Sequence, residues 1–346
     1  MSQKNNALIA KTRAVYGKRL TPAQYDQLIA CHTVHEIAMY LRENTGYHDI
    51  LDNKNDAVYH RGKLEAYIKE RLFTQYAQLC KHDLASDMQF FKAIVVKGEI
   101  DQLLHCIRLL SFGRPEEYLF VLPDFFNHHT GLDLYKLAQA RTGRALLEVT
   151  IGSVYHSLLS PLLDNRENIS YVAAENALYS YYYDYIHRMI ERSTHGALHS
   201  QLKHIFGMRA DLYNLSCIIR LKKYYNASPE YIRSMLLPCN GGAIKSAMED
   251  LIAADSAERV LEFLQKSRYG RSLREEPTPY LENTLRQIEH DTCRRILHLT
   301  SHGTTALAAY MFLAEMETHN LINIIESIRY NLSPSEIYPL LVGMAQ

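Results

Sequence analysis

Residues 211–220 read DLYNLSCIIR, and this stretch decides the fold because two similar stretches occur in the same chain. They are EIDQLLHCIR at residues 99–108 and NLINIIESIR at residues 320–329. The shared pattern is an acid or Asn, then an apolar residue, Asn or Gln at the fourth place, and Ile-Arg at the end. The copies recur roughly 110 residues apart, which is typical of an internal repeat. Three similar units predict a ring-like or stacked molecule of the kind that holds partners and performs no chemistry.

The apolar residues of the pattern have helical spacing. Leu212, Leu215 and Ile219 stand at positions i, i+3 and i+7, within about 60° of one another at about 100° per residue. Each copy is therefore predicted to be a helix with one apolar face, and we expect its arginine at an equivalent place in all three units. The arginines can bind an acidic partner or form structural salt bridges. The candidate positions, structural or interface, are Glu99, Arg108, Asp211, Asn214, Arg220, Asn323 and Arg329.

A proline-led segment follows each copy: RPEEY at 114–118, SPEYI at 228–232 and SPSEI at 333–337, with a related TPAQY at 21–25. A Ser or Thr that is followed by Pro and then by an acid or amide is typical of a helix start. The hydroxyl caps free N–H groups, Pro lacks an N–H that would need a partner, and an acid favours the positive end of the helix dipole. Three helical units are predicted over about 21–110, 114–222 and 228–330, with a partial unit beginning at Ser333. The corresponding division of the chain is 1–110, 111–222 and 223–346.

The composition is that of a soluble globular protein. The 346 residues are 47% apolar and 22% charged, and they suffice for two or three domains. Lysine plus arginine and aspartate plus glutamate both number 38. Because phosphate binding needs clustered positive charge, this balance makes nucleic acid a poor candidate partner.

Three further features predict a cytoplasmic protein. No uncharged run approaches the length of about 18 residues that a membrane-spanning helix needs. Residues 1–11 lack the apolar core of a signal peptide. The six cysteines are scattered without a Cys-x-x-Cys pair, which indicates reduced, buried thiols and no disulfide framework.

The predicted fold class is all-α. Runs of alternating β-branched residues are few, whereas helical spacing is widespread. Long helices are predicted over residues 57–95, 168–202 and 281–298, in addition to the three repeat helices.

Histidine clusters are the main candidates for chemistry. His195 and His199 stand one helical turn apart, with His187 and His204 near in sequence. Two more clusters are His32, His35 and Glu36, and the pair His128-His129. None of these clusters matches His-Glu-x-x-His. In the pair His195 and His199, Gly196 stands where that motif needs a glutamate. We interpret these residues as solvated or helix-flanking histidines and expect no bound metal.

Other signatures of chemistry are missing from the sequence. The tyrosines between Tyr179 and Tyr185 spread around all sides of a helix, so they favour packing on several faces over a stacking platform. Gly241-Gly242 belongs to a turn, since no Gly-x-x-x-x-Gly-Lys phosphate loop or Gly-x-Ser-x-Gly elbow occurs. We therefore expect no cofactor and no catalytic residue.

At the three repeat helices the chain resembles the C-subunit family (the d-subunit family in eukaryotes) of rotary V-type and archaeal-type ATPases and ATP synthases. In that family an acid-x-x-Asn-Leu helix recurs in three pseudo-symmetric helical domains, and residues 211–220 match it best. Glu315 and Glu317 before the third copy, and the Ser-Pro-x-Glu-Ile tail after it, also resemble the family. So do the first proline-led segment and the Leu-x(3)-Thr-x-Tyr element at 41–47. The likeness spans nearly the whole chain, although Gln102 and Asn320 depart from the family residues.

The resemblance implies a funnel of three helical domains without catalytic residues. It would lie on the cytoplasmic face of the membrane proteolipid ring, peripheral to the membrane. Its opening would receive the foot of the central axle, which is formed by the D and F subunits. It would couple ATP turnover in the peripheral head to ion flow through the membrane part.

Two alternatives come from other classes of protein. A helical solenoid adaptor would have a similar composition but shorter and more numerous repeats, and a period of roughly 110 residues argues against it. A histidine-metal hydrolase would carry bound metal after purification.

Overall fold

The computed structural model describes residues 3–52, 54, 59–81, 89–163, 170–238, 244–267, 269–270 and 281–344. Every regular element in these residues is a helix, and no strand occurs among them. The predicted all-α class is therefore confirmed. The turn predicted at Gly241-Gly242 lies outside the described residues.

The α-helices of the described residues are α1 (Gln3–Tyr16), α2 (Pro22–Ile29), α3 (Val34–Asn44), α4 (His48–Leu51), α5 (Arg61–Cys80), α6 (Gln89–Ser111), α7 (Asp124–Asn127), α8 (Leu134–Gln139), α9 (Gly143–Val149), α10 (Val154–Leu163), α11 (Tyr171–Ser193), α12 (Gly196–Tyr225), α13 (Pro229–Ser234), α14 (Met248–Ala253), α15 (Ala257–Lys266), α16 (Leu281–Leu299), α17 (Gly303–Arg329) and α18 (Pro334–Ile337). Short 3-10 helices occupy Pro115–Val121, Lys245–Ala247 and Tyr338–Leu340. The repeat copies lie in α6, α12 and α17.

Of the long helices predicted from spacing, only the one over 281–298 is confirmed, as α16. The single helix predicted over 57–95 is wrong, because α5 ends at Cys80 and α6 begins at Gln89. Residues 82–88 lie outside the described residues; their sequence includes Asp83, Ser86 and Asp87, residue types that favour caps and turns over helix interiors.

The helix predicted over 168–202 is also wrong, because it is broken between α11 and α12. Thr194 is extended, and its hydroxyl donates to the Ile190 carbonyl at 2.7 Å, which ends α11. Gly196 then has a φ of +60°, a conformation that residues with side chains rarely adopt. The two helices consequently form an antiparallel hairpin.

The repeat helices α12 and α17 run parallel. The rings of Phe206 and Phe312 lie 5.2 Å apart. Three residues further along each helix, Arg209 Nη2 meets Glu315 Oε2 at 2.6 Å. Because both positions advance together, the two helices point in the same direction.

The first repeat helix, α6, has this direction as well. Phe90 lies beside Phe206, with ring centroids 6.3 Å apart. Seven residues further along each helix, Lys97 and Tyr213 both approach Tyr179 of α11. The C-terminal ends of α6, α12 and α17 therefore lie toward the same end of the molecule.

All three repeat helices are followed by a residue in the left-handed conformation: Gly113 (φ +69°), Asn226 (φ +44°) and Asn331 (φ +56°). The backbone N–H groups just beyond them donate back to carbonyls of the last turn, as in Arg114 to Leu109 at 2.9 Å. A proline comes two or three residues later in each case. The three repeats thus end alike, which their aligned sequences alone did not establish.

The predicted helix starts are confirmed at three of the four proline-led segments. The side chain of Ser228 accepts from the Tyr231 N–H, and those of Thr21 and Ser333 form capping boxes with the residue three positions on. At Arg114 there is no side-chain cap, and the segment forms a 3-10 helix instead. Arginine lacks the short oxygen-bearing side chain that such a cap needs.

Two apolar clusters form the core of the described residues. The larger one gathers residues from α1, α5, α6 and the helices from α7 to α17. The smaller one combines residues between Leu20 and Ile68 with Leu321, Ile324, Ile325 and Ile328 of α17. The N-terminal segment therefore packs against the third repeat helix, although it is far from that helix in sequence.

The cysteines that the structure describes are free thiols. Four of them, Cys80, Cys106, Cys217 and Cys293, are buried, and Cys31 is partly exposed. Cys239 lies outside the described residues. The prediction of buried thiols is therefore confirmed at four positions and wrong at Cys31, which lies at the end of α2.

No helix in the described part of the chain combines the length and the apolar character needed to cross a membrane.

Candidate functional site

Glu99 of the first repeat is a buried carboxylate that ties α6 to the residues after it. Its Oε1 accepts from the Thr130 hydroxyl at 2.7 Å and from the Gly131 N–H at 3.0 Å. Its Oε2 accepts from the hydroxyl of Tyr155 in α10 at 2.6 Å. Hydrogen bonds from buried donors stabilise a carboxylate that has left water.

Asp211 takes the same place in the second repeat and is fully buried. Its Oδ2 accepts from the Ile244 N–H at 3.3 Å and from the Tyr269 hydroxyl at 2.5 Å. Each acid therefore receives a backbone N–H from about 30 residues downstream and a tyrosine hydroxyl from further on. The acid position of the pattern thus fixes each repeat helix to its own downstream segment.

Asn320 makes the corresponding contacts in the third repeat. Its side-chain amide accepts from the Val342 N–H at 3.0 Å, and its Nδ2 donates to the Val342 carbonyl at 2.8 Å. Nδ2 also approaches the hydroxyl of Tyr25 at 3.3 Å. The tyrosine here comes from the first proline-led segment, so residues near the N-terminus complete the third repeat.

The amides at the fourth place of the pattern bind the chain after the helix. Asn214 is fully buried; its Oδ1 accepts from the Leu237 N–H at 2.8 Å and its Nδ2 donates to the Leu237 carbonyl at 3.0 Å. Asn323 Nδ2 donates to the Leu340 carbonyl at 3.1 Å. Gln102 of the first repeat accepts instead from the Tyr118 hydroxyl at 2.8 Å.

The three repeat arginines are exposed at the C-terminal ends of the parallel helices. Arg108 donates to His105 Nδ1 at 3.0 Å. Arg220 lies 3.5 Å from Glu282 of α16, and Arg329 lies 3.6 Å from Glu326. Exposed pairs at these distances contribute little to stability, so the structure leaves all three guanidinium groups facing water.

Exposed aromatic side chains accompany these arginines. Phe112, Tyr224 and Tyr330 follow the arginines within four residues and are 72%, 69% and 66% exposed. Aromatic and arginine side chains are enriched in protein interfaces. The end of the molecule at which the repeat helices stop therefore has the composition of a contact surface.

Two residues from the opening of the chain meet Glu317 of α17: Tyr47 of the Leu-x(3)-Thr-x-Tyr element, and Leu20 just before the first proline-led segment. The Tyr47 hydroxyl donates to Glu317 Oε1 at 3.0 Å, and the Leu20 N–H donates to Glu317 Oε2 at 2.9 Å. Arg71 stacks on the Tyr47 ring at 4.1 Å and pairs with Asp49 at 2.7 Å. These contacts add polar connections to the apolar packing between the N-terminal segment and α17.

A partly buried ion cluster joins α12, α16 and α17. Arg209 Nη2 lies 2.6 Å from Glu315 Oε2, and Arg209 Nε lies 3.4 Å from Glu289 Oε1. The guanidinium group stacks over the Phe312 ring at 4.1 Å. Burial raises the pKa of Glu289. Burial acts on Glu315 in the same direction, but the nearby cations, Arg209 above all, outweigh this effect. The pKa of Glu315 therefore lies below its usual value. Glu315 is therefore the stronger partner of Arg209, in agreement with its shorter distance.

A second polar cluster lies between α6 and α11. Lys97 Nζ pairs with both oxygens of Asp101 at 2.7 and 2.8 Å and lies 5.3 Å from the centre of the Tyr179 ring. The Tyr179 hydroxyl donates to Asp101 at 3.2 Å. The helices that carry the two clusters, α6 and α12, are neighbours, because Phe90 packs against Phe206.

The sequence did not single out Lys97, Asp101, Arg209 or Glu289 of these two polar clusters. Only the spacing of Lys97 and Asp101, one helical turn apart, was visible as a local pair. Glu315 was noted as part of the family resemblance, but its partner Arg209 lies 106 residues away. Such a pair leaves no local pattern in a single sequence.

The histidine clusters have ordinary surroundings. His199 lies 3.6 Å from Glu191, which also pairs with Lys203 at 2.9 Å, and His187 lies 3.9 Å from the same carboxylate. His129 packs against the rings of Phe73 and Phe91. No group of three or more His, Cys, Asp or Glu side chains in the described ranges is arranged to hold a metal ion.

Comparisons with known proteins agree with the repeat pattern. The family model described as ATP synthase (C/AC39) subunit matches residues 8–340. The chain is 22% identical to the C subunit of the A-type ATP synthase of Methanosphaera stadtmanae over 341 residues, which cover 94% of this chain and 84% of that protein. It is also 22% identical to the C subunit of the A-type ATP synthase of Pyrococcus abyssi over 347 residues, covering 97% of this chain and 90% of that protein. The protein of the same name from Pyrococcus horikoshii gives the same identity and coverage over 345 residues.

The family match begins before the first proline-led segment and ends after the last one, so it includes all three repeat helices. This chain belongs to the ATP synthase (C/AC39) subunit family.

Proposed function

We propose that this subunit is the central-stalk socket of a rotary V-type ATPase or ATP synthase. It would couple the rotor axle of the peripheral head to the membrane proteolipid ring during ion transport. The proposal is carried by the three parallel repeat helices, by the polar clusters on these neighbouring helices, and by an exposed end rich in arginine and aromatic residues. Family membership supports the same reading.

The proposed architecture is a funnel of three pseudo-symmetric units around α6, α12 and α17. The sequence pattern grouped residues 21–110 as one unit. The packing of residues 20–68 against α17 favours assigning this N-terminal segment to the third unit, so that the two ends of the chain close the ring. In that arrangement each repeat helix contacts one tyrosine through its first polar position: Tyr155, Tyr269 and Tyr25.

The proposed partners are the D and F subunits of the axle, received at the open end, and the proteolipid ring. The protein would be peripheral on the cytoplasmic face of the membrane. It would supply no catalytic group, since torque needs a rigid connection and no bond chemistry. The pair of Arg209 and Glu315 suits such a role, because its short, partly buried contact ties α12 to α17.

Co-purification from native membranes tests this proposal. A tagged full-length chain should recover the head subunits, the D and F subunits and the proteolipid. Recovery of other proteins without any ATPase subunit would contradict it and favour the adaptor alternative. Metal analysis of the untagged protein separates the third reading, because stoichiometric zinc lost in the His195→Ala, His199→Ala variant would support a hydrolase.

A further inference from the structure

In each of the two polar clusters, one cation contacts both a carboxylate and an aromatic ring. Lys97 lies between Asp101 and the Tyr179 ring. Arg209 lies against Glu315 and the Phe312 ring. An anion and a ring face both attract a cation, and their effects are larger away from bulk water.

Glu175 of α11 forms the carboxylate of a third arrangement of this kind. It is half-buried, and its Oε1 accepts from the Tyr171 hydroxyl at 3.1 Å. It lies one turn before Tyr179 on the same face of α11, and the Tyr179 ring is 6.4 Å from that of Tyr213. Burial, and next the charge of Glu175, raise the pKa of Tyr213.

Within the described ranges, which leave out residues 164–169 just before α11, no cation of the chain pairs with this third carboxylate. Among the described residues no lysine or arginine nitrogen lies within 4 Å of the Glu175 oxygens. Burial raises the pKa of Glu175, whereas the Tyr171 hydrogen bond and the charge of Arg220 lower it. Arg220 itself pairs with Glu282, with its Nη1 3.5 Å from that carboxylate. A half-buried carboxylate with one hydrogen bond gains from a positive partner, because burial has removed part of its hydration.

We propose that Glu175, with the rings of Tyr171 and Tyr213, binds a lysine or arginine side chain of the protein segment that enters the socket. This inference rests on the proposed function, since it names a contact of the axle. An arginine fits best, because its planar guanidinium group can stack on a tyrosine ring while donating to a carboxylate.

The position of the site agrees with an inserted partner. Tyr171 and Glu175 occupy the first turns of α11, which runs antiparallel to α12 and so begins near the exposed end of the repeat helices. Burial, and next the charge of Glu175, raise the pKa of Tyr171, whereas the charge of Arg108 lowers it. A basic side chain entering from the open end would therefore meet Glu175 before it met the Arg209 cluster.

The first test measures binding of the full-length chain to the purified complex of the D and F subunits at moderate ionic strength. Glu175→Gln keeps the shape and the acceptor for Tyr171 but removes the charge, so the affinity should fall about tenfold, as for a close interfacial charge pair. Glu262→Gln is the control, because Glu262 is exposed on α15, on the other side of that helix from the buried Val260. The control should bind within about twofold of the parent.

If the parent chain binds the axle complex and Glu175→Gln binds equally well, this inference is overturned while the proposed function stands. If the parent chain does not bind the axle complex, the proposed function fails. A second measurement then decides about the site itself.

The second test titrates the full-length chain with N-acetyl-arginine methylamide and with its neutral citrulline analogue. Tyrosine ring resonances report the binding, and Tyr171→Phe and Tyr213→Phe assign them. The arginine compound should shift both resonances saturably at millimolar concentration, the citrulline compound should not, and Glu175→Gln should abolish the effect. Equal shifts with both compounds, or unchanged shifts in Glu175→Gln, would overturn the proposed cation site.

Discussion

Glu99 and Asp211 accept hydrogen bonds from the same kinds of donor, although the chain segments that carry these donors have no visible similarity in sequence. Each carboxylate accepts from a backbone N–H and from a tyrosine hydroxyl, and both are buried. The pattern singled out these positions, but it left open whether they are structural or belong to an interface. Their burial assigns them a structural contact. The exposed repeat arginines remain candidates for an interface.

Removing either tyrosine hydroxyl should destabilise the fold. Tyr155→Phe and Tyr269→Phe should each lower the free energy of unfolding by about 1.5–3 kcal/mol, because a buried carboxylate loses a charged hydrogen bond. Tyr135→Phe is the matched control, since its hydroxyl also binds a carboxylate, Asp124 at 2.9 Å, but on the surface. Denaturant titration measures all three, and a control as damaging as the buried pair would refute the account.

His105 should make stability depend on pH. Its Nδ1 accepts from Arg108, while its Nε2 is buried without a hydrogen-bond partner in the structure. Burial, and next the charge of Arg108, lower the pKa of His105 to about 4. Below an ordinary pKa of about 6.5 the unfolded chain binds a proton that the folded chain refuses, so stability falls between about pH 6.5 and pH 4 by up to roughly 3 kcal/mol.

The variant His105→Leu should reduce this acid sensitivity, whereas His60→Gln at an exposed position should retain it. Denaturant titrations at pH 4.5 and pH 7 provide the comparison. If His105→Leu lost stability over this range as steeply as the parent, another group would be responsible.

At the scale of elements, helical spacing predicted the repeat helices and α16 but not the breaks between helices. The break at Thr194 depends on a side-chain hydrogen bond and on the left-handed Gly196, and neither interrupts the apolar pattern. The ion cluster was also hidden, because Arg209 and Glu315 meet only through packing of α12 on α17. Local periodicity therefore predicts faces of helices, whereas their partners come from the tertiary arrangement.

The apolar stripe of the repeat helices should dominate the stability of these elements. Leu215 and Ile324 are fully buried in α12 and α17. Leu215→Ala and Ile324→Ala should each cost about 2–5 kcal/mol, the range for buried large-to-small changes. Leu299→Ala, at a position 77% exposed, should change the free energy of unfolding by less than about 0.5 kcal/mol. Near-zero shifts of the thermal midpoint for the two buried variants would mean that the stripe faces water.

For the whole molecule, the sequence indicated three repeats and the family, and the structure adds how the chain closes on itself. The contacts of Tyr25, Tyr47 and Leu20 with α17 join the beginning of the chain to its end. No local signal in residues 18–47 foretold that partner, since it lies about 270–300 residues away. In the proposed funnel this closure provides the rigidity that a rotating connection needs.

The central claim is that this protein couples the axle to the membrane ring, and ATP-driven ion transport in reconstituted vesicles tests it most directly. In the proposed function the head hydrolyses ATP and this chain supplies no catalytic group, so a complex assembled without this chain should still hydrolyse ATP. Its ion transport should be abolished, because the axle then lacks a rigid connection to the ring, and adding the full-length chain back should restore it. Transport at normal rates in the absence of this chain would contradict the coupling role.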